Sequence, residues 1–238
     1  ALLFGMTVPR LLAGLATTTL LAACQAAPPP SVASPVQELM FAHFALARDM
    51  RVFAVNGDLE RLRVTAEELA VTDATWGLPP GSEARMEEVR AAARRASQAT
   101  DPAEAALAAA EVAGACGACH LASGGTLGER FQVAAPLLDE PATRHTNYLS
   151  WATRLLWDGL VGPSERMWRT GAGALAAGEG VPAPRGTYVP DAEVARAGAL
   201  LRELGAEAIT APDAEARIRI LGQVWAACAD CHMQAGGG

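Results

Sequence analysis

The sequence predicts an all-α fold made of two antiparallel four-helix bundles in tandem, and three observations support this prediction. Ala, Leu, Arg and Glu are strong helix formers, and aromatic residues make up only 5% of the chain. No long alternating run of Val and Ile predicts a strand. The second half of the chain repeats the pattern of the first, including a Cys-x-x-Cys-His motif near its end.

Each half contains four helical segments separated by loops that are rich in Gly and Pro. In the first half we predict helices over 36–55, 58–71, 82–99 and a last helix running from Pro102 into the motif. In the second half the corresponding segments are 142–157, 163–177, 191–209 and a last helix after Asp213. Short connections between successive helices are typical of antiparallel bundles.

Local signals mark where these helices begin and end. Asp101 and Asp213 are predicted N-caps of the last helix in each half, because a short acidic side chain accepts from the first free amides. Asn56-Gly57 and Asp158-Gly159 predict turns after the first helix of each half. The predicted domains are therefore 36–123 and 140–238, joined by a linker at 124–139.

The N-terminus has the pattern of an export signal. Arg10 precedes an apolar run, Leu11 to Leu21, that is too short to span a bilayer comfortably. The run ends in Leu21-Ala22-Ala23-Cys24, which resembles a bacterial lipobox. The resemblance implies that 1–23 is a lipoprotein signal peptide and that Cys24 is lipidated; an ordinary signal peptide with an incidental Cys is the alternative.

The predicted location follows from that signal. Residues 24–35 are rich in Ala, Pro and Ser and predict a flexible tether to the membrane. Gln25 stands where an Asp would retain such a lipoprotein in the inner membrane, so we expect a lipid anchor in the outer membrane, on its periplasmic side. The formal net charge of -7 argues against a nucleic-acid partner.

The four remaining cysteines form two copies of one motif, Cys116-Gly117-Ala118-Cys119-His120 and Cys228-Ala229-Asp230-Cys231-His232. Cysteines at i and i+3 lie on one helix face, so both can form thioether bonds to the vinyl groups of one porphyrin. The adjacent His then supplies the proximal nitrogen to iron. The alternatives are a redox Cys pair, a zinc site and a disulfide scaffold. We predict two covalently bound haem c groups.

The two other histidines occupy matching positions. His43 precedes Gly57 by as many residues as His145 precedes Gly159. In an antiparallel bundle the start of the first helix lies near the end of the fourth, so we expect both histidines to be distal iron ligands. A surface or propionate-binding role is an alternative, as is an open or Met-ligated iron; Met40 and Met50 lie on the first helix, but they have no counterpart in the second half.

A four-helix bundle with Cys-x-x-Cys-His at the end of its last helix resembles the class II cytochromes c, the cytochrome c′ group. The resemblance covers 36–123 and 140–233, and it implies a four-helix domain around each haem. A His on the first helix differs from the members of that group with five-coordinate, gas-binding iron. This difference favours electron transfer.

The predicted function is therefore a membrane-tethered periplasmic electron carrier, an electron-transfer protein rather than a substrate-converting enzyme. Its expected partners are a redox-protein donor and a redox-protein acceptor, which it meets through transient contacts. The alternative is a gas-binding or peroxidase-like haem protein with one open iron site. The two predictions differ in whether either iron has a displaceable sixth ligand.

Overall fold

Eight α-helices make up the regular structure of the described residues, among which no strand occurs. The computed structural model describes residues 34–72, 78, 80–124, 141–178 and 191–234, without the side chains of 141–146 and 191. The helices are α1 (Pro35–Asn56), α2 (Leu59–Val71), α3 (Glu83–Ser97), α4 (Pro102–Ala122), α5 (Pro141–Val161), α6 (Glu165–Ala177), α7 (Asp191–Ile209) and α8 (Ala214–Gln234). They belong to one compact unit. The predicted all-α class is confirmed.

The last helix of each half begins at its predicted cap. Two amide N–H groups of α4 donate to Asp101 Oδ1 at 2.9 Å each, and Pro102 occupies the first helical position. The N–H of Ala216 donates to Asp213 Oδ1 at 2.9 Å in the same way. Both helices continue through their Cys-x-x-Cys-His motif and end two residues after its His.

The turn predicted at Asp158-Gly159 is wrong, because α5 continues to Val161. Gly159 is required for packing rather than for a turn: a Cβ at this position would lie 2.6 Å from the backbone nitrogen of Trp168 in α6. The helix ends just before Pro163, which lacks an N–H and disfavours helical geometry in the residue that precedes it.

Each helix packs against its neighbours in the chain, and the last helix of each half also contacts the first. Contacts follow the order α1, α2, α3, α4 and back to α1, and the order α5, α6, α7, α8 and back to α5. Across the halves, α4 packs against α8, α1 against α8 and α4 against α5. The contact between α4 and α8 is the most extensive of any helix pair among the described residues.

The central helices α4 and α8 run antiparallel. A Cβ at Gly114 would lie 2.2 Å from Ile218 Cδ1, and a Cβ at Gly222 would lie 2.8 Å from the Cα of Leu107. Moving along α4 towards its end therefore corresponds to moving along α8 towards its start. Small residues on both helices allow this close approach, and they place the two motifs at opposite ends of the pair.

Helix α4 has an apolar surface on most sides. Its buried residues are Ala105, Ala106, Ala108, Ala109, Ala110, Val112, Ala113, Gly114 and Gly117. Among the described residues, α4 is the helix that is long and apolar enough to cross a membrane, with a mean hydropathy of 1.4 over its most apolar window. Half of that window is buried against other helices, a pattern equally typical of a core helix.

Candidate functional site

The two Cys-x-x-Cys-His motifs lie in the last turns of the central antiparallel pair. Because Gly222 is level with Leu107, Cys228 is level with the start of α4. Cys116 lies roughly four turns further along α4, so the two motifs are separated by about 20 Å along the helix axis. The structure therefore contains two separate candidate sites within one compact unit.

The four motif cysteines are free thiols. Burial raises the pKa of the Cys116 thiol to about 12, with a further contribution from the charge of Cys119. Burial likewise raises the pKa of the Cys228 thiol to about 12, with a contribution from Cys231. The first thiol of each motif is therefore protonated at neutral pH and lies in apolar surroundings, the kind of environment in which a porphyrin edge would be buried.

His120 is held by the end of α5. Its Nδ1 donates to the carbonyl oxygen of Val161 at 2.7 Å. Val161 is the last residue of α5, so its carbonyl has no donor within that helix and is free to accept from outside. A carbonyl can only accept, so Nδ1 carries the proton and the lone pair lies on Nε2.

Gly117 makes this contact possible. It lies between the two cysteines of the first motif, where α4 crosses the end of α5. A Cβ at this position would lie 2.1 Å from the carbonyl oxygen of Leu160. Only Gly allows the two backbones to come this close, and their proximity brings the His120 ring within reach of Val161.

His232 has a matching contact with the end of α1. Its Nδ1 donates to the side-chain oxygen of Asn56 at 3.1 Å. Asn56 is the last residue of α1, just as Val161 is the last residue of α5. In both motifs the His is therefore fixed through Nδ1 by the first helix of the opposite half of the chain.

His43 is buried on α1, with 7% of its surface exposed. Its Nε2 is buried and has no hydrogen-bond partner among the described residues. Burial lowers the pKa of His43, and the positive charge of Arg90 on α3 lowers it further. The imidazole is therefore neutral at pH 7, the form that binds iron. Buried polar atoms are normally satisfied, so this nitrogen needs an explanation.

Other predicted features lie partly or wholly outside the described residues. His145 lies in α5, but its side chain is not described. Cys24, the signal peptide at 1–23 and most of the tether at 24–35 precede the first described residue. The linker at 124–139 is described only at Gly124.

In the described parts of the chain, no three His, Cys, Asp or Glu side chains form a group that could hold a metal ion. One pair of motif cysteines lies near the C-terminus of α4 and the other near the C-terminus of α8. Because the two helices are antiparallel, the pairs are at opposite ends of the helix pair. A single zinc site built from both pairs would therefore require the helices to rearrange.

Three residues of the candidate sites were not found from the sequence. Val161 acts through its backbone carbonyl, which any residue type at this position would also provide. In the sequence, Asn56-Gly57 indicates only a turn, although an Asn at a helix end also offers a side-chain acceptor. The signal at Gly117 was its position between the two cysteines, where a residue without a Cβ permits a close backbone contact.

The fold and the sites define an all-α protein with a Cys-x-x-Cys-His motif at the end of each of two central helices. No family model, curated protein or solved structure matches the chain.

Proposed function

We propose that the chain is a dihaem c-type cytochrome that carries electrons on the periplasmic side of a bacterial membrane. Each half is proposed to be a four-helix bundle, which agrees with the contacts of α1 to α4 and of α5 to α8. Cys116 and Cys119 would hold one haem and Cys228 and Cys231 the other, with His120 and His232 as proximal ligands. Lipidated Cys24 would anchor the protein to the membrane.

The observation that carries this proposal is the hydrogen bond from His120 Nδ1 to the carbonyl oxygen of Val161, at 2.7 Å. A metal-ligating His almost always donates its other ring N–H to a carbonyl or a carboxylate, which fixes the tautomer and orients the ring. His232 makes the same type of bond to Asn56. The residues present therefore fit a haem whose proximal nitrogen is Nε2.

The proposed distal ligands are His43 and His145. The buried Nε2 of His43 has no hydrogen-bond partner in the part of the chain that the structure describes, and the imidazole is neutral, so this nitrogen is able to donate a lone pair to iron. His145 is proposed by analogy, because it occupies the matching position in the second half. With two imidazoles held ready as ligands, an iron bound here would have no open coordination position for a substrate.

These ligands favour a carrier over an enzyme. When bound, haem iron supplies a one-electron redox couple whose potential depends on its ligands and surroundings. The chain would hold that couple beside buried apolar residues such as Val161 and Cys228, and it would orient the two proximal imidazoles through their Nδ1 bonds. Donor and acceptor would be other redox proteins, met through small transient interfaces.

The first experiment tests haem attachment. The full-length chain is expressed together with haem-attachment machinery and the mature protein is weighed by mass spectrometry. We expect two added haem masses, one in Cys116→Ala/Cys119→Ala, one in Cys228→Ala/Cys231→Ala, and none when all four cysteines are replaced. A wild-type protein without added haem would refute the proposed function.

The second experiment tests the distal ligand in Cys228→Ala/Cys231→Ala, which retains only the first site. We expect a low-spin haem that does not bind carbon monoxide. Adding His43→Ala should produce a high-spin ferrous haem that binds it. Met40→Leu and Met50→Leu, on the same helix, are the controls and should leave the spectrum unchanged. Carbon monoxide binding before His43 is replaced would instead favour a gas-binding or peroxidase-like protein.

A further inference from the structure

The two proximal candidates share a contact that crosses between the halves of the chain. His120, on α4, is fixed by Val161 at the end of α5. His232, on α8, is fixed by Asn56 at the end of α1. In neither motif does the acceptor for the His Nδ1 come from the same half of the chain. Each depends on the first helix of the other half for the acceptor that orients its imidazole.

We infer that Asn56 is a positioning residue for His232, and that these two acceptors give the second haem a higher reduction potential than the first. The inference rests on the proposed function, since it concerns the potential of haems that the motifs would hold. It assigns a role to a residue outside both motifs and both predicted ligand sets.

The acceptors differ in strength. Val161 offers a backbone carbonyl at the C-terminus of α5, where the aligned peptide dipoles add negative charge, and its bond to His120 is 2.7 Å long. Asn56 offers a neutral side-chain amide at 3.1 Å. A stronger acceptor at Nδ1 makes the ligating nitrogen a better electron donor. Such a ligand favours the oxidised iron, which lowers the potential of the first site relative to the second.

The turn after α1 fixes the position of Asn56. Gly57 has a left-handed backbone with φ of 73° and caps the helix. The N–H of Asp58 then donates to the carbonyl of Phe53 at 3.0 Å, which closes the turn. A Cβ at Gly57 would lie 2.9 Å from Met233 Cγ, so the end of α8 packs directly on this turn. Asn56 is thereby held beside His232.

The experiment uses the full-length, haem-loaded chain with the variants Asn56→Asp and Asn56→Ala. Redox titration followed by absorbance gives the reduction potential of each haem. The same substitutions in Cys116→Ala/Cys119→Ala, which retains only the second haem, assign the change to that site. Asn56 is exposed at a helix end, so both variants should fold.

Opposite shifts are expected from the two variants. Asn56→Asp provides a charged, stronger acceptor and should shift the equilibrium of the second haem about tenfold towards the oxidised form. Asn56→Ala removes the acceptor and should shift it towards the reduced form. A role confined to packing would not produce opposite signs. Gln223→Glu is the control: it adds the same charge to an exposed position on α8, about 13 Å from His232 along the helix, and should have little effect.

The outcomes separate the two proposals. If both haems attach but the second potential does not move, or moves in the same direction in both variants, the role of Asn56 is refuted and the proposed function stands. A wild-type first haem with the higher potential refutes the stated order. If no haem attaches, the proposed function fails, and the role of Asn56 fails with it.

Discussion

At the scale of single residues, the closest approach of α4 to α5 depends on Gly117. A Cβ at this position would overlap the carbonyl oxygen of Leu160, which belongs to rigid helical backbone. We therefore expect Gly117→Ala to push the two helices apart and to lower the free energy of unfolding by about 1–3 kcal/mol, as overpacking does in tight cores. Urea denaturation followed by circular dichroism measures this loss.

Gly173 provides a matched control for that substitution. It also lies within a helix, but a Cβ there would meet no atom of the described residues within 4 Å. Gly173→Ala should therefore raise the free energy of unfolding by about 0.5–1 kcal/mol, because Ala loses less backbone entropy on folding. If Gly117→Ala also stabilised the protein, the close contact between α4 and α5 would be contradicted.

The motif residues of both sites could be predicted from the sequence, but the acceptors that orient the two histidines could not. The Cys-x-x-Cys-His motifs are local, so their spacing and chemistry can be recognised without a fold. The acceptors for His120 and His232 come from helices of the opposite half and depend on tertiary packing. Val161 could not have been found at all, because every residue has a carbonyl.

At the scale of elements, an ion pair joins the N-terminus of α6 to α8. Glu165 pairs with Arg169 on its own helix and with Arg217 on α8. The guanidinium of Arg217 also lies 5.2 Å from the centroid of the Trp168 ring. Trp168 in turn donates from its indole N–H to the carbonyl of Ala208 at the end of α7, at 2.8 Å. The group joins three helices of the second half.

The Glu165 contact predicts a specific pH dependence. Hydrogen bonds from Arg217 and then Arg169 lower the pKa of Glu165 below its usual value of 4.5. The carboxylate therefore contributes stability above that pH, and the contribution is lost as pH falls through the folded-state pKa. Because Glu165 is half exposed, we expect Glu165→Gln to lower the free energy of unfolding by only about 0.5 kcal/mol at pH 7.

Denaturation at several pH values tests that prediction. The difference between wild type and Glu165→Gln should shrink towards zero as pH is lowered below the pKa of the carboxyl group, and high salt should reduce it at pH 7. Glu67→Gln on α2 is the control, since Glu67 makes no ion pair with the described residues. A difference that is independent of pH would contradict an electrostatic role for Glu165.

Helix bounds were largely predictable because their signals are local. Asp101 and Asp213 cap the last helices as short acidic side chains do, and Gly57 ends α1 in the left-handed conformation that Gly adopts easily. Asp158-Gly159 has the same appearance in sequence but lies inside α5. Its Gly is needed for contact with α6, and a contact with another helix cannot be distinguished from a turn by sequence alone.

At the scale of the whole molecule, the contact between α4 and α8 joins the halves through a shared core. The apolar residues of α4 surround the helix instead of forming one stripe, a pattern that predicts burial on several sides. The sequence of α4 thus indicates burial on several sides. It does not indicate that α8 is the partner helix, because Ala and Gly can pack against many different neighbours. Separate bundles in series would bury α4 within one half only.

A shared core predicts that both halves unfold together. Four of the five tryptophans lie in the second half, but Trp157 packs on Phe44 of α1, with ring centroids 5.2 Å apart. Fluorescence of Trp76→Phe/Trp157→Phe therefore reports on the second half, while circular dichroism reports on all helices. We expect both signals to change over the same range of urea concentration, as they do in a single cooperative transition. Leu62, in the first half, is only 1% exposed. Leu62→Ala should lower stability by about 2–5 kcal/mol and shift both transitions equally.

Independent bundles would behave differently in the same experiment. Leu62→Ala would then lower the urea midpoint of the first half, seen by circular dichroism, and leave the fluorescence midpoint of the second half unchanged. Val64→Ala, on the same helix at a position that is 63% exposed, should shift neither signal measurably and controls for the loss of side-chain bulk. A fluorescence midpoint that follows Leu62→Ala, measured in a half that does not contain the substitution, can arise only through contacts that cross the halves. Among the described residues, such contacts include the packing of α4 on α8 and α5, the packing of α1 on α8, and the bonds of His120 and His232.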